Sequence, residues 1–199
     1  MKKCITFCLS LVLTLLLFGC AEKGPAMYIQ PAQLMKQEQD LADLVGVNLD
    51  DHIFDFKVDD TVQRISINAY ELIDGNWELF YGGGGRPFTD PKGRLMVDFE
   101  NLEEGLRDSI QSENHNGATK IETKAEFDTT GMHRATSMLN QKTEIVYEQE
   151  IPLAVQILTS KNEIRSYDTT YFFHPEDYAN YGHDHVYAVT VLFSREPLE

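Results

Sequence analysis

The sequence predicts an all-β domain: a two-layer antiparallel β-sandwich with a short N-terminal helix. Three observations lead there. From His52 onward, apolar and polar residues alternate over short runs, as in strands half-buried against a core. Turn-forming residues interrupt those runs every ten residues or so, the spacing of a sandwich. Residues 186–193 are apolar on both faces, with only Thr190 breaking the run, which marks a central strand covered twice. The alternative is an α+β domain, because residues 101–111 can be read as a helix covering one face of a sheet.

The elements follow in order. Residues 31–45 read as the helix: Pro31 suits the first turn, Leu34, Leu41 and Val45 share one face, and Gly46 supplies a stop. Residues 53–58 alternate over their second half. In residues 62–73, Ile65, Ile67 and Ala69 share a face. Asp74-Gly75-Asn76 then turns the chain, and Trp77, Leu79 and Tyr81 alternate on the return, a hairpin that needs positive φ at Gly75. The run Gly82–Gly85, followed by Arg86-Pro87, could cradle an anion on its backbone N–H groups. No phosphate-loop pattern accompanies it and no strong helix follows, so a flexible hairpin end is the preferred reading.

Residues 94–100 form a further strand, with Leu95, Val97 and Phe99 facing one way. In 101–111, Leu102, Leu106 and Ile110 have helical spacing, Asn101 can cap, and Glu104 stands three residues on. Gly105 weakens that helix. Asn116-Gly117 favours a hairpin with arms at 106–112 and 118–127, and the hairpin is preferred. Residues 136–147, 153–159 and 163–173 read as three successive strands, with Pro152 just before the second.

The N-terminus has a different character. Lys2 and Lys3 precede an apolar run over 5–18, too short for the roughly 20 residues of a membrane span but suited to a secretory signal. The run closes on Leu17-Phe18-Gly19-Cys20. That ending resembles the lipobox of bacterial lipoproteins. The resemblance implies a lipid on the Cys20 thiol, cleavage before Cys20, and acylation of the new N-terminus. An uncleaved short anchor is the competing reading. The implied organisation is a signal peptide over 1–19, a lipidated anchor and spacer with a Gly24-Pro25 break over 20–30, and a single β-rich domain over 31–199. Its implied place is outside the cytoplasm, anchored to the bacterial cell membrane. One acyl chain holds a protein marginally, whereas two or three hold it firmly.

Cleavage before Cys20 removes 19 residues and leaves 180 of 199. Cys4 and Cys8 are then lost and Cys20 is a thioether, so the mature domain has no free thiol. Disulfides, thiol nucleophiles and Cys-based metal sites are excluded together. A second resemblance runs through Phe56-Lys57-Val58-Asp59-Asp60, Tyr70-Glu71-Leu72 and Asp74-Gly75-Asn76-Trp77-Glu78. These segments look like small lipoproteins of Gram-positive bacteria, which implies a β-rich exported domain and no known active site.

Acidic residues outnumber basic ones 32 to 17, a formal charge of −15 that becomes −17 once Lys2 and Lys3 are removed. Such a surface repels phosphate backbones, so nucleic acid is not an expected partner. The densest constellation is 171–187. His183 and His185 are two apart and would point the same way on an extended backbone. With His174, and Glu176 or Asp177, they could hold Zn²⁺ through mixed nitrogen and oxygen ligands. The spacing matches no zinc motif, so a solvated loop is preferred and no cofactor beyond the Cys20 lipid is expected. Tyr178, Tyr181 and Tyr187, with the only tryptophan, Trp77, could stack on sugar rings or anchor a protein, although burial is the commoner fate. The carboxylates Asp98, Glu100, Glu103 and Glu104, and the set Asp50, Asp51, Asp55, Asp59 and Asp60, read as solvated faces. Gly-x-Ser-x-Gly, Ser-x-x-Lys and His-Glu-x-x-His are absent. The expectation is a non-enzymatic module that binds an envelope protein or a small ligand. The rival is an exported hydrolase using carboxylates or a His-bound metal.

Overall fold

The computed structural model describes residues 26–45, 52–122, 127–165, 167–179 and 181–198. The predicted signal peptide, Cys20, the Gly24-Pro25 break and the Gly46 stop lie outside the described residues. The described chain is mostly strand, in two antiparallel sheets packed face to face. The predicted sandwich is therefore the fold.

The first sheet contains β1 (Tyr28–Pro31), β2 (Ile53–Lys57), β6 (Lys92–Asp98), β7 (Gly105–Ser112), β8 (Asn116–Glu122) and β10 (Thr143–Glu144). Its order is β10-β1-β2-β6-β7-β8. The second contains β3 (Arg64–Ile73), β4 (Asn76–Tyr81), β9 (His133–Met138), β11 (Glu150–Thr159) and β12 (His185–Ser194), in the order β4-β3-β12-β11-β9. A two-residue β5 (Arg86–Pro87) extends the β4 edge against β3. Between the sheets pack Phe54, Leu95, Val97 and Phe99 of one and Ile65, Ala69, Val189, Val191 and Phe193 of the other, all essentially solvent-free. Phe56 meets Phe88 and Phe193 at centroid distances of 5.4 and 5.1 Å, the tilted geometry that aromatic rings prefer. As expected, β12 is central and buried on both faces.

Several elements differ from the sequence reading. Strand β1 begins at Tyr28, inside the predicted spacer, and pairs Pro31 with Phe54, so Pro31 ends a strand and does not start a helix. The helix α1 spans Lys36–Val45. Of the predicted apolar face, Leu41 does not dock: it is 62% exposed, while Ala42 is buried. Arg94 holds the helix instead, donating to Glu38 at 2.7 Å and to Asp55 at 2.8 Å.

Residues 101–111 follow the hairpin reading after one 3₁₀ turn, Leu102–Glu104. The buried Gln156 fixes that turn, donating from Nε2 to the Phe99 carbonyl at 2.7 Å and accepting from Leu102 N at 3.4 Å. The hairpin turns at Glu113–His115, not at Asn116-Gly117, which are paired in β8. Buried Asp90 selects the turn. Its carboxylate accepts from Ser112 Oγ, Asn114 N and Asn114 Nδ2 at 2.6 to 2.8 Å, and those bonds hold its pKa well below the usual carboxylate range.

Two predicted strands are divided or replaced. Residues 136–147 split into β9 and β10, which belong to different sheets, so the corner at 139–142 carries the chain from one sheet to the other. The described residues of 163–173 contain no strand. They end in a 3₁₀ turn, Thr169–Phe173, which Asp168 starts by accepting from Thr170 N at 2.8 Å. A short helix α2 (Pro175–Ala179) follows.

The four glycines form a bulge, not a hairpin end. Tyr81 pairs with Ala69 and Arg86 with Ile65, so five steps of the edge run oppose four of β3. In an unbroken strand an odd separation would place Tyr81 and Arg86 on opposite faces. The extra residue puts both between the sheets, beside Ala69 and Ile65. There Tyr81 donates from its hydroxyl to Asp108 Oδ2 at 2.7 Å, and Arg86 ion-pairs with Oδ1 of the same fully buried carboxylate. Burial and this bond push Tyr81 up to about 12.

Gly75 and Gly82 are glycines for different reasons. Asp74 and Gly75 have φ of 49° and 81°, the primed turn that the hairpin demands, and a Cβ at Gly75 would meet nothing within 4 Å. Gly82 has φ of 103°, and a Cβ there would overlap Asn68 Oδ1 and the Ile67 carbonyl oxygen. Gly75→Ala should therefore cost only the strain of positive φ, about 1–2 kcal/mol. Gly82→Ala should cost more than that, read from urea midpoints of the two variants. Equal losses would show that the bulge relaxes around a side chain.

Candidate functional site

The outer face of the second sheet presents Val155 and Ile157 of β11, Val186 and Ala188 of β12, and Tyr70 and Leu72 of β3. The segment between β11 and β12 folds back over this face. Phe172 and Tyr178 insert into it, against Trp77 at centroid distances of 5.2 and 6.2 Å, and Trp77 Nε1 donates to the Phe172 carbonyl at 2.8 Å. The cover explains why β11 and β12 are apolar on both faces. Tyr167 stacks on Tyr171 at 4.3 Å and contacts Tyr181 at 5.7 Å, and the Arg165 guanidinium lies 4.8 Å over the Tyr181 ring. Burial lifts Tyr167 to about 12, whereas the Tyr167 hydroxyl and then Arg165 lower Tyr181.

The predicted site residues are dispersed within this region. Tyr178 and Tyr187 are buried core residues, Tyr178 under the cover and Tyr187 between the sheets, so neither can present a stacking surface. Tyr181 remains partly exposed. The three histidines do not converge. His174 is exposed, 3.6 Å from Glu176. His183 precedes the strand, stacks on Tyr181 at 6.3 Å, and is held below its ordinary pKa chiefly by burial. His185 lies flat on Phe127 at 3.7 Å, with Nδ1 2.8 Å from Glu71. The shared orientation expected of His183 and His185 fails because pairing begins only at His185; Asp184 instead accepts from Ser160 N at 2.6 Å. Among the described residues, no group of three His, Cys, Asp or Glu side chains is arranged to hold a metal ion.

The acidic clusters are largely absorbed by the fold. Asp55 and Glu103 face Arg94 and Arg134. Asp59 accepts from Thr61 and Tyr147, which lowers it to about 2. Asp50 and Asp51 lie outside the described residues. A broad recess of about 550 Å³ runs along Asp98, Glu104, Arg107, Lys120 and Glu122 at the β7–β8 edge.

A narrower cleft of about 400 Å³ lies at the other lateral edge, between the 139–142 corner, the start of β11 and the cover. Its apolar wall includes Met138, Val146, Ile151 and Phe173, and Phe173 is 57% and Val146 43% exposed. Its polar wall includes Glu144, Glu150 and Asp168. Glu150 sits at the end of a polar row across the sheet. Its Oε1 accepts from Asn68 Nδ2 and Tyr70 OH, each at 2.8 Å, and its Oε2 accepts from Thr190 Oγ1. Asn68 Oδ1 in turn accepts from Gly83 N at 2.9 Å, which ties the row to the glycine bulge. Burial, then the Glu150 bond, raises Tyr70 well above its ordinary pKa. The cleft is hidden in the sequence, where 136–147 and 163–173 read as continuous strands. The Asp168-Thr169-Thr170 triplet, a local capping pattern, was the signal for a turn at its rim.

Set beside known proteins, the chain matches no family model, no curated protein and no solved structure. Concave apolar recesses with a few placed polar groups are the usual form of small-ligand sites, and about 400 Å³ falls within their range.

The cover carries one further anomaly. Tyr178 is 1% exposed and its hydroxyl has no hydrogen-bond partner among the described residues, while burial raises its pKa. A buried hydroxyl without a partner costs about 1–3 kcal/mol, and removing it at constant shape recovers part of that. Tyr178→Phe should raise stability by about 1 kcal/mol, measured as an upward shift of the thermal midpoint. A loss of stability would mean that the hydroxyl is satisfied within the cover.

Proposed function

We propose that the chain is an extracytoplasmic lipoprotein, anchored to the bacterial cell membrane through a lipid on Cys20, whose sandwich serves as a non-enzymatic binding module. The cleft beside Phe173 carries this reading. It combines exposed apolar walls with a polar wall already organised by hydrogen bonds, and such preorganisation lowers the cost of binding. The order of charge, apolar run and Leu-x-Gly-Cys at the N-terminus supports the anchor. The acidic balance supports an envelope protein or a small ligand over nucleic acid as partner. A recess formed by exposed side chains on a rigid sheet edge suits a ligand of modest size, held close to the membrane by the tether.

Two measurements test the parts separately. Cys20→Ala should accumulate as an uncleaved precursor that takes up no radioactive fatty acid, because the acceptor thiol is gone; labelling equal to the parent would remove the anchor. A fragment library screened by ligand-observed NMR should give saturable binders that are lost in Phe173→Ala. Binding that is indifferent to Phe173 would remove the cleft.

A further inference from the structure

The charge lining the cleft is one-sided. Glu144, Glu150 and Asp168 contribute to its wall, and among the described residues no Lys, Arg or His does. Lys142, the cation of the adjoining corner, lies over the Tyr28 ring, 3.6 Å from its centroid, and not over these carboxylates. Elsewhere in the fold, carboxylates drawn into the protein face a cation or an imidazole: Asp108 has Arg86, Glu103 has Arg134, and Asp90 and Glu71 have His115 and His185. Glu150 differs. Its three hydrogen bonds all come from neutral donors, Asn68, Tyr70 and Thr190, which fix the carboxylate in place but leave its charge without a counter-ion among the described residues. The Glu144 side chain is exposed and its carboxylate has no hydrogen bond to any described residue, and the Asp168 carboxylate accepts through Oδ1 alone, from Thr170.

Resting on the reading of this cleft as a binding site, we propose that its ligand is a small organic cation: a primary ammonium on an apolar body. The ammonium meets the oriented Glu150 and its acidic neighbours, and the apolar body lies against Phe173 and Val146. A primary ammonium has three donors and no acceptor, which matches a wall whose charged groups only accept. The partly enclosed setting strengthens the charge interaction beyond its worth in open solvent. The apolar walls account for the body, since a bare inorganic cation would leave Phe173 and Val146 exposed.

The test uses the full chain in nanodiscs of zwitterionic lipid. 2-Phenylethylamine and its neutral counterpart 2-phenylethanol are titrated in parallel, followed by saturation-transfer NMR and by Trp77 fluorescence. The amine should bind saturably and at least tenfold more tightly than the alcohol at low salt. That preference should shrink in Glu144→Gln, where the side chain is exposed and the fold is not at risk. It should shrink further in Glu150→Gln, whose carboxamide oxygen still accepts from Asn68 and Tyr70 while its NH2 can donate to Thr190 Oγ1. Equal affinity for amine and alcohol would overturn the cationic assignment while leaving the cleft a binding site. A preference unchanged in both variants would overturn it as well. No saturable binding of either compound would overturn the assignment and the binding reading together.

Discussion

One buried carboxylate closes the sandwich. A two-sheet fold has two lateral seams where edge strands face each other. At one seam the chain itself crosses, since residues 139–142 run from β9 in the second sheet to β10 in the first. At the other seam Asp108 of β7 reaches Tyr81 of β4 and Arg86 of β5, and Arg86 also donates to Thr119 of β8 at 3.2 Å. Asp108 is fully buried between Leu106 and Ile110 on the core face of its strand. A charge in that position is tolerable only while its partners are in place. The glycine bulge is what places them. Without the extra residue, Tyr81 and Arg86 would project from opposite faces of the edge and could not share one acceptor.

The same bulge acts on the other side of the sheet. Gly83 donates to Asn68, Asn68 donates to Glu150 across β12, and Glu150 borders the cleft. A continuous path of hydrogen bonds thus links the seam to the candidate site. Above this row, the aromatic cover seals the rest of the outer face. Trp77 from β4 and Phe172 and Tyr178 from the β11–β12 segment interlock over Val155, Ile157, Val186 and Ala188. The cover also delivers Phe173 and Asp168 to the rim of the cleft, so the binding walls come from elements fixed by packing.

Local pattern exposed the architecture because a sandwich is built from local rules. Alternation located β2, β3, β4 and β6, the two-sided run located β12, and Asp74-Gly75 located the primed turn that φ values of 49° and 81° require. What stayed hidden depended on partners distant in sequence. Asn116-Gly117 looks like a turn, but Asp90 fixes the turn at 113–115 instead. Four glycines look like a flexible end, but β3 pairs on both sides of them. The spacing of Leu34, Leu41 and Val45 suggests a packed face, but the Arg94 ion pairs with Glu38 and Asp55 orient the helix with Leu41 outward. For the site, the right stretch of sequence was visible in its aromatics. The working residues were not: Glu150 reads as an ordinary polar residue before a strand, and Phe173 as the end of a strand that does not form.

A double-mutant cycle on Arg86 and Asp108 tests most directly whether a bulge-positioned clamp holds the fold together. Arg86→Met leaves a buried, uncompensated carboxylate and should cost about 3–5 kcal/mol. Arg86→Met combined with Asp108→Leu removes both charges and should recover most of that loss, giving a large coupling energy from urea unfolding. Losses that simply add, or an Arg86→Met variant as stable as the parent, would contradict the clamp.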